Sequence, residues 1–266
     1  MNLVEALATS CDTYFYSVGE SIWALPTSAG HPLQDWGSAF GFGEKTGIDI
    51  GPEETGLLPS IAWRLKTYTK KTDPCCWQVD QLWKPGDSIQ LAIGQKDVTV
   101  TPLQMTRFYA AIANGGYLVT PHLVSDVEQP GSRGSGQQKI LRRFGAQPPV
   151  KTSVDPAALQ IVQQGLFAST HSVEGTGYGV FGSFPVPIAG KTGTAEKVMH
   201  VEGYPDPHLE DQAWWCGYGP YLDPTLVVCA LIENGGHGGV AAAPAALKVF
   251  EQYFGKRGQI TTHASD

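Results

Sequence analysis

Apolar residues Leu3, Leu7, Cys11, Tyr14, Phe15 and Val18 recur at helical spacing. They predict an amphipathic helix over residues 2–24, or two helices joined near Ser10. The polar Ser10 and Asp12 then lie at or beside that joint. A second helical pattern over residues 33–40 runs into Gly41-Phe42-Gly43, a stop signal. Thr101-Pro102 opens a stronger helix, because proline fits the first helical turn. Leu103, Met105, Phe108, Tyr109, Ile112 and Ala113 supply its apolar face, and Asn114-Gly115-Gly116 ends it. Asp155 suits the N-cap of a helix across Leu159, Ile161, Val162 and Leu166, and residues 241–254 form a closing helix.

Between these helices the period changes. Residues 44–59 are turn-rich, with Gly47, Gly51, Pro52 and Gly56. Residues 60–84 read as irregular, and the rings of Trp63, Tyr68, Trp77 and Trp83 are expected to pack onto the core. Residues 117–124 read as a strand, and residues 129–149 as an exposed loop around one short strand at Ile140-Leu141. After a glycine-rich turn at Gly175, Gly177, Gly179 and Gly182 come three strand candidates, residues 188–194, 213–218 and 226–233. Strands in succession joined by loops predict an antiparallel sheet with helices packed on it. The expected class is α/β in the α+β sense: a mostly helical lobe with loops over residues 1–116, the sheet and its packing helices over 117–256, and a tail over 257–266.

The 266 residues suffice for a sizeable core. A net charge of −7, without any long Lys/Arg run, argues against a nucleic-acid partner. No segment approaches the roughly 18 apolar residues of a membrane span, and residues 1–5 lack the basic start and apolar run of a secretion signal. Five cysteines, Cys11, Cys75, Cys76, Cys216 and Cys229, show no metal-type spacing and cannot all pair within one chain. Cys75 and Cys76 are expected not to bridge each other, because neighbours reach disulfide geometry only with strain.

The chemistry concentrates in Lys191-Thr192-Gly193-Thr194. On a strand, glycine allows substrate backbone to approach, lysine offers a fixed positive charge beside a carboxylate, and the two threonine hydroxyls can anchor that carboxylate. The tripeptide alone is weak evidence, since Lys45-Thr46-Gly47 repeats it in a turn. Far upstream, Ser10-Cys11-Asp12 supplies a hydroxyl and a carboxyl one residue apart, a pairing that accompanies Lys-Thr-Gly and Ser-x-x-Lys in penicillin-binding enzymes. No serine in the sequence is followed three residues later by lysine.

Longer blocks extend these motifs. They include Asn2-Leu3-Val4-Glu5-Ala6-Leu7, Ser10 to Tyr16, Phe40-Gly41-Phe42-Gly43 with Thr46-Gly47-Ile48-Asp49, and Trp83-Lys84-Pro85-Gly86-Asp87. Ala92-Ile93-Gly94-Gln95, Thr101-Pro102-Leu103-Gln104, Ala113-Asn114-Gly115-Gly116, Gly190 to Ala195 and Glu233-Asn234-Gly235 follow in order. In these blocks the chain resembles the C-terminal two thirds of a class B penicillin-binding protein transpeptidase domain of the cell-elongation type. The resemblance implies the serine β-lactamase and transpeptidase fold, here expected to be incomplete at the N-terminus, lacking a central helix and a strand. It also implies a D,D-transpeptidase that cross-links peptidoglycan stem peptides through a serine acyl-enzyme and is acylated by β-lactams.

By that resemblance Ser10 matches a serine that passes protons to the leaving amine, and Asp12 a residue that holds the substrate amide and the lysine. Lys191, Thr192, Gly193 and Thr194 match the third motif, with the Thr194 N–H as half of an oxyanion hole. Members of that family carry the Ser-x-x-Lys nucleophile on a helix some tens of residues before the Ser-x-Asp element, which this chain does not include, so the chain alone is expected to form no acyl-enzyme. No cofactor is expected. Implied partners are stem peptides, the lipid-linked glycan precursor, β-lactams as inhibitors and membrane proteins of the elongation machinery. The implied location is the extracytoplasmic side of the bacterial cytoplasmic membrane, with the anchor outside this chain. The alternatives are a β-lactam hydrolase or D,D-carboxypeptidase of the same fold, or a non-catalytic binding or sensor module.

Other polar groups read more plainly. His200, Glu202, Asp206, His208, Glu210 and Asp211 are expected to be a solvated loop rather than a metal site, and His237 a turn residue. Glu53 and Glu54 read as turn surface, and Lys96 stands where relatives commonly carry glycine.

Overall fold

Asn2 starts the first helix by a reciprocal cap. Its side chain accepts from the Glu5 N–H at 3.0 Å, while the Glu5 carboxylate accepts from the Asn2 N–H at 2.9 Å. Helix α1 (Leu3–Ala8) then ends in a turn through Ser10, at φ 55°, and α2 (Asp12–Trp23) begins beyond Cys11. The two-helix alternative is therefore the one adopted. The computed structural model describes residues 1–129, 139–196, 198–199, 208–209 and 211–261.

Downstream come α3 (Pro32–Ala39), α4 (Ile61–Thr67), α5 (Trp77–Asp80), α6 (Pro85–Ala92) and α7 (Pro102–Ala113). Thr101 and Gln104 form a capping box at α7, and the Gln104 amide also donates to the carbonyls of Glu44 and Thr55 at 2.7 Å each. Next are β1 (Tyr117–Leu118), β2 (Asp126–Gln129), β3 (Lys139–Arg143), β4 (Val150–Lys151), α8 (Pro156–His171) and α9 (Tyr178–Phe181). Asp155 caps α8 as expected, accepting from the N–H groups of Ala157 and Ala158. The chain continues through β5 (Ala189–Ala195), β6 (Val198–Met199), β7 (His208–Leu209), β8 (Gln212–Gly219), β9 (Leu226–Ile232) and α10 (Ala242–Phe254). Among the described residues no helix is long and apolar enough to cross a membrane.

Several expectations are corrected. The stretch 60–84 is not irregular throughout: Ser60 caps α4 through the Trp63 N–H, and α5 follows. Only Tyr117 and Leu118 of the expected 117–124 strand lie in a strand, paired with β4. Within the expected loop the strand is longer than Ile140-Leu141: β3 spans Lys139–Arg143 and pairs antiparallel with β2, which lies largely before the loop. Cys75 and Cys76 are joined by a disulfide, against expectation, and Cys216 and Cys229 form a second. Neighbouring residues can be bridged where the backbone of an exposed loop bends to bring the sulfurs together, and no residue pattern around Cys75 signals that bend.

The central sheet has the order β5-β8-β9 and is antiparallel throughout. One face is covered by α9 and α10, with Val180, Phe181, Trp215, Leu247 and Phe250 buried together and Phe181 stacked on Trp215 at 4.6 Å. The other face receives Tyr109 and Ile112 of α7 and Leu159 and Leu166 of α8, which pack against Ala189, Cys216 and Tyr218. Alternation along β8 assigns its odd residues to the first core and its even ones to the second. Gly190 and Gly217 face each other across β5 and β8, and a Cβ on Gly217 would lie 2.4 Å from the Ala189 carbonyl oxygen, so the close approach of these strands requires glycine.

Two ionic clusters tie the periphery down. The buried Arg64 guanidinium donates to the carbonyls of Asp80 and Leu82 and to Asp87 at 3.0 Å, while Asp87 also accepts from the Lys84 N–H and from the Lys96 ammonium. Burial alone would raise the Asp87 carboxyl, but the Lys96 and Lys84 bonds and the Arg64 charge outweigh it and hold the group below its ordinary value. Glu251 on α10 is buried and accepts from Lys248, Arg257 and the Gly258 N–H. The Lys248 bond, followed by the Gly258 N–H, brings its pKa down to about 2.

Arg64→Met retains an apolar stem but leaves Asp87 without its buried partner, and is expected to cost about 3 kcal/mol, read as a lower urea midpoint. Because the Glu251 pKa is depressed, its contribution is full above the ordinary glutamate value of about 4.3 and disappears as pH falls toward about 2. Urea melts between these pH values are expected to show a steeper acid loss in the parent chain than in Glu251→Gln.

Candidate active site

The edge strand β5 carries Lys191, Thr192, Gly193 and Thr194, paired with Cys216, Trp215, Trp214 and Ala213 of β8. The Lys191 Nζ donates to the Thr192 carbonyl at 3.1 Å, to the Thr192 hydroxyl at 3.2 Å and to the Thr176 hydroxyl at 3.5 Å. The hydroxyls of Thr176 and Thr192 lie 2.7 Å apart, and both residues are buried. The Thr176 N–H donates to the Ala8 carbonyl at 3.2 Å. One residue thus connects the lysine strand to the end of α1, two positions before Ser10.

The other end of the motif is held by a glutamine. Gln95 Nε2 donates to the Thr194 carbonyl at 2.8 Å, and Gln95 Oε1 accepts from the Glu196 N–H at 3.4 Å. The Thr194 hydroxyl accepts from the Gly238 N–H at 3.3 Å. Gln95 stands between two residues of positive φ, Gly94 at 72° and Lys96 at 69°. Lys96 is thus placed by a strained backbone, and its ammonium pairs with Asp87.

Ser10 and Asp12 occupy the α1–α2 turn, and both are exposed. The turn is fixed by backbone bonds from the Cys11 N–H to the Ala6 carbonyl at 2.9 Å and from the Ser10 N–H to the Leu7 carbonyl at 3.4 Å. Asp12 opens α2, where the helix dipole favours a carboxylate. Among the described residues neither side chain has a hydrogen-bond partner. The structure therefore gathers Lys191 and Thr192 around Thr176, keeps Gly193 and Thr194 on the same strand, and places Ser10 and Asp12 on a turn linked to that strand through Thr176. Between them, the Cys11 thiol is held below its ordinary value by the Thr13 hydroxyl and then by the Tyr14 backbone.

A cavity of about 920 Å³ opens beside the Thr194 end of the motif, lined by Asp87, Gln90, Gln95, Lys96, Glu196 and Gln212 among others. Lys45-Thr46-Gly47 is a turn, as expected, but Glu53 is more than turn surface. Its carboxylate accepts from the N–H groups of Thr46 at 2.7 Å and Gly47 at 3.1 Å and from the Thr46 hydroxyl. Burial would raise the Glu53 pKa, and these bonds lower it on balance. Glu54 is exposed.

The acidic and histidine cluster falls largely outside the described residues: His200, Glu202, Asp206 and Glu210 lie beyond them, His208 is in β7, and Asp211 precedes β8. Among the described residues, the one group with ligand-like spacing is Asp73, Cys75 and Cys76, and both sulfurs there are taken up in the disulfide.

Sequence reasoning missed Thr176, Gln95 and the Arg64–Asp87 cluster. Thr176 had one signal, a lone hydroxyl between Gly175 and Gly177. Gln95 had its place in a recognised block, with no role attached.

Helices on both faces of an antiparallel sheet, with Lys-Thr-Gly-Thr on its edge strand and Ser-x-Asp at a helix joint, define the fold of the penicillin-interacting serine acyltransferases. The chain belongs to the family described as the penicillin binding protein transpeptidase domain, which matches residues 1–251. The peptidoglycan D,D-transpeptidase MrdA of Salmonella typhimurium is 30% identical over 270 residues, covering 98% of this chain and 39% of that protein. MrdA of Haemophilus influenzae is 32% identical over 262 residues, covering 96% and 37%. Among solved structures, Pseudomonas aeruginosa PBP2 in complex with WCK 5153 aligns with a TM-score of 0.73 at 28% identity, covering 100% of this chain and 50% of that one. Helicobacter pylori PBP2, solved in complex with MreC, aligns at 0.67 and 28% identity, covering 96% and 41%. The chain spans about two fifths of the length of the MrdA relatives.

Thr176→Val keeps the shape but removes the shared hydroxyl, and is expected to destabilise the chain by about 1–2 kcal/mol in urea unfolding, with Thr176→Ser restoring most of the loss.

Proposed function

We propose that this chain supplies the substrate-holding and proton-transfer side of a peptidoglycan D,D-transpeptidase of the elongation type. The observation that carries the reading is the arrangement on β5: a lysine ammonium bonded to the buried pair Thr176 and Thr192, with a third threonine, Thr194, two positions after Thr192, in a chain that matches the transpeptidase family over residues 1–251. Thr192, Gly193 and Thr194 would receive the stem-peptide carboxylate and backbone along an open strand edge. Lys191 would supply the positive charge that draws the carboxylate in and favours proton removal nearby. Ser10, exposed on a fixed turn, would relay a proton to the departing amine, and Asp12 would orient the substrate amide. No serine in the chain has lysine three residues on, so the reading places the nucleophile in a part of the protein beyond this sequence. The substrate would then be a lipid-anchored or polymerised glycan stem peptide on the extracytoplasmic side of the membrane. Membrane proteins of the elongation machinery would be the partners, and β-lactams would acylate the same site.

The test is covalent labelling by a fluorescent penicillin. The protein carrying its upstream region is expected to form a stable adduct, and Ser10→Ala and Lys191→Ala are each expected to slow acylation by about 10²-fold or more. Residues 1–266 alone are expected to remain unlabelled. Rapid turnover of the penicillin would assign the protein to the hydrolases instead, and unchanged acylation in Lys191→Ala would remove the β5 reading.

A further inference from the structure

We propose that the Cys216–Cys229 disulfide is a positioning element for Lys191. The inference rests on the reading of Lys191 as the site lysine. Lys191 pairs with Cys216, and Cys216 pairs with Cys229, so the three residues form one row across β5, β8 and β9. Directly opposed residues of antiparallel strands project to the same face, so the lysine stem leaves the sheet beside the cystine. Cys216 is buried with Tyr109, Leu166, Ala189 and Tyr218, which anchors that end of the bridge in the core under α7 and α8.

The backbone that carries Lys191 is poor in side chains. Its strand lies at the edge of the sheet, with Gly190 before it and Gly193 two residues after it. The adjoining row is Gly190, Gly217 and Val228, so the two strands nearest the lysine share no side-chain pair there. Backbone with so few side chains is conformationally permissive. The covalent link runs from β8 to β9 and does not touch β5; it acts by fixing Cys216, the β8 residue with which Lys191 pairs. It connects sequence positions only 13 apart, in strands already paired, so it acts on local geometry within the sheet.

The experiment uses this chain with its lysines reductively methylated with ¹³C, and follows the NMR titration of Lys191, assigned with Lys191→Arg. It needs no penicillin, so it can fail while the transpeptidase reading stands, and the reverse. Cys216→Val/Cys229→Val fills the buried space with residues suited to strands. In this variant the Lys191 midpoint is expected to move by about half a pH unit or more, or its signal to split. Lys248 on α10 is expected to titrate as before, and Cys75→Ser/Cys76→Ser is expected to leave both lysines unchanged. An unaltered Lys191 titration in the folded valine pair overturns the proposal.

If the valine pair does not fold, the Cys75→Ser/Cys76→Ser chain is treated with a dithiol. Two electrons and two protons pass to the Cys216 and Cys229 sulfurs, the S–S bond breaks, and the reagent becomes a disulfide. A shift confined to Lys191 then supports the proposal. An unchanged Lys191, or loss of the whole fold, shows that the bridge does not position this lysine and overturns it.

Discussion

The arrangement of the site depends on one buried hydroxyl, that of Thr176. It shares a short hydrogen bond with Thr192, lies within reach of the Lys191 ammonium, and belongs to a residue whose N–H holds the last turn of α1. A hydroxyl can donate and accept at once, so one atom can satisfy a buried neighbour while leaving a lone pair for an ammonium. A methyl in its place would leave the Thr192 hydroxyl and the Lys191 ammonium only their bonds to each other and to the Thr192 carbonyl, and would break the polar link from β5 through Thr176 to the end of α1. The glycines on either side of Thr176 allow this, since a Cβ on Gly175 would lie 2.4 Å from the Ser169 carbonyl oxygen.

Around that hydroxyl the chain uses polar groups to fix loops that apolar packing cannot reach. Arg64 collects two carbonyls and two carboxylates and so draws α4, α5, α6 and the turn at Asp97 together. Glu53 performs the same task for the 46–47 turn, and Glu251 for the segment after α10. Arg64 and Glu251 are buried and Glu53 is half-buried, each with several partners, the condition under which burial of a charge is tolerated. The sheet itself is held by ordinary means, with Trp215 between Phe181 and Phe250 on one face and Tyr109 with Tyr218 on the other.

The elements with a clean period were legible in the sequence. The paired helices around Ser10, the Thr101-capped helix and the three long strands stand within a residue or two of where the pattern places them, and the Asp155-capped helix starts where expected but runs five residues past Leu166 to His171. Short elements were not, because β1, β4 and α5 span two to four residues and are fixed by distant partners rather than by local period. The motif residues could be found as strings, but the groups that connect them could not. Thr176 and Gln95 act across separations of 16 and 99 positions, and Arg64 reaches Asp87 across 23, distances over which a single sequence carries no periodic signal.

The glutamine at position 95 has a consequence for whatever lies along β5. Its carboxamide offers an N–H to the Thr194 carbonyl and an oxygen to the Glu196 N–H, the two bonds that one residue of a neighbouring strand would make. Seen from the open edge of the sheet, the strand is already occupied at that point. An extended chain pairing with β5 could reach the outward backbone of Thr192 and the Thr194 N–H, but would find the Thr194 carbonyl already bonded and have to turn away beyond it. A single side chain thereby sets the reach of any strand-like guest, and denies this edge to indefinite pairing with other copies of the protein.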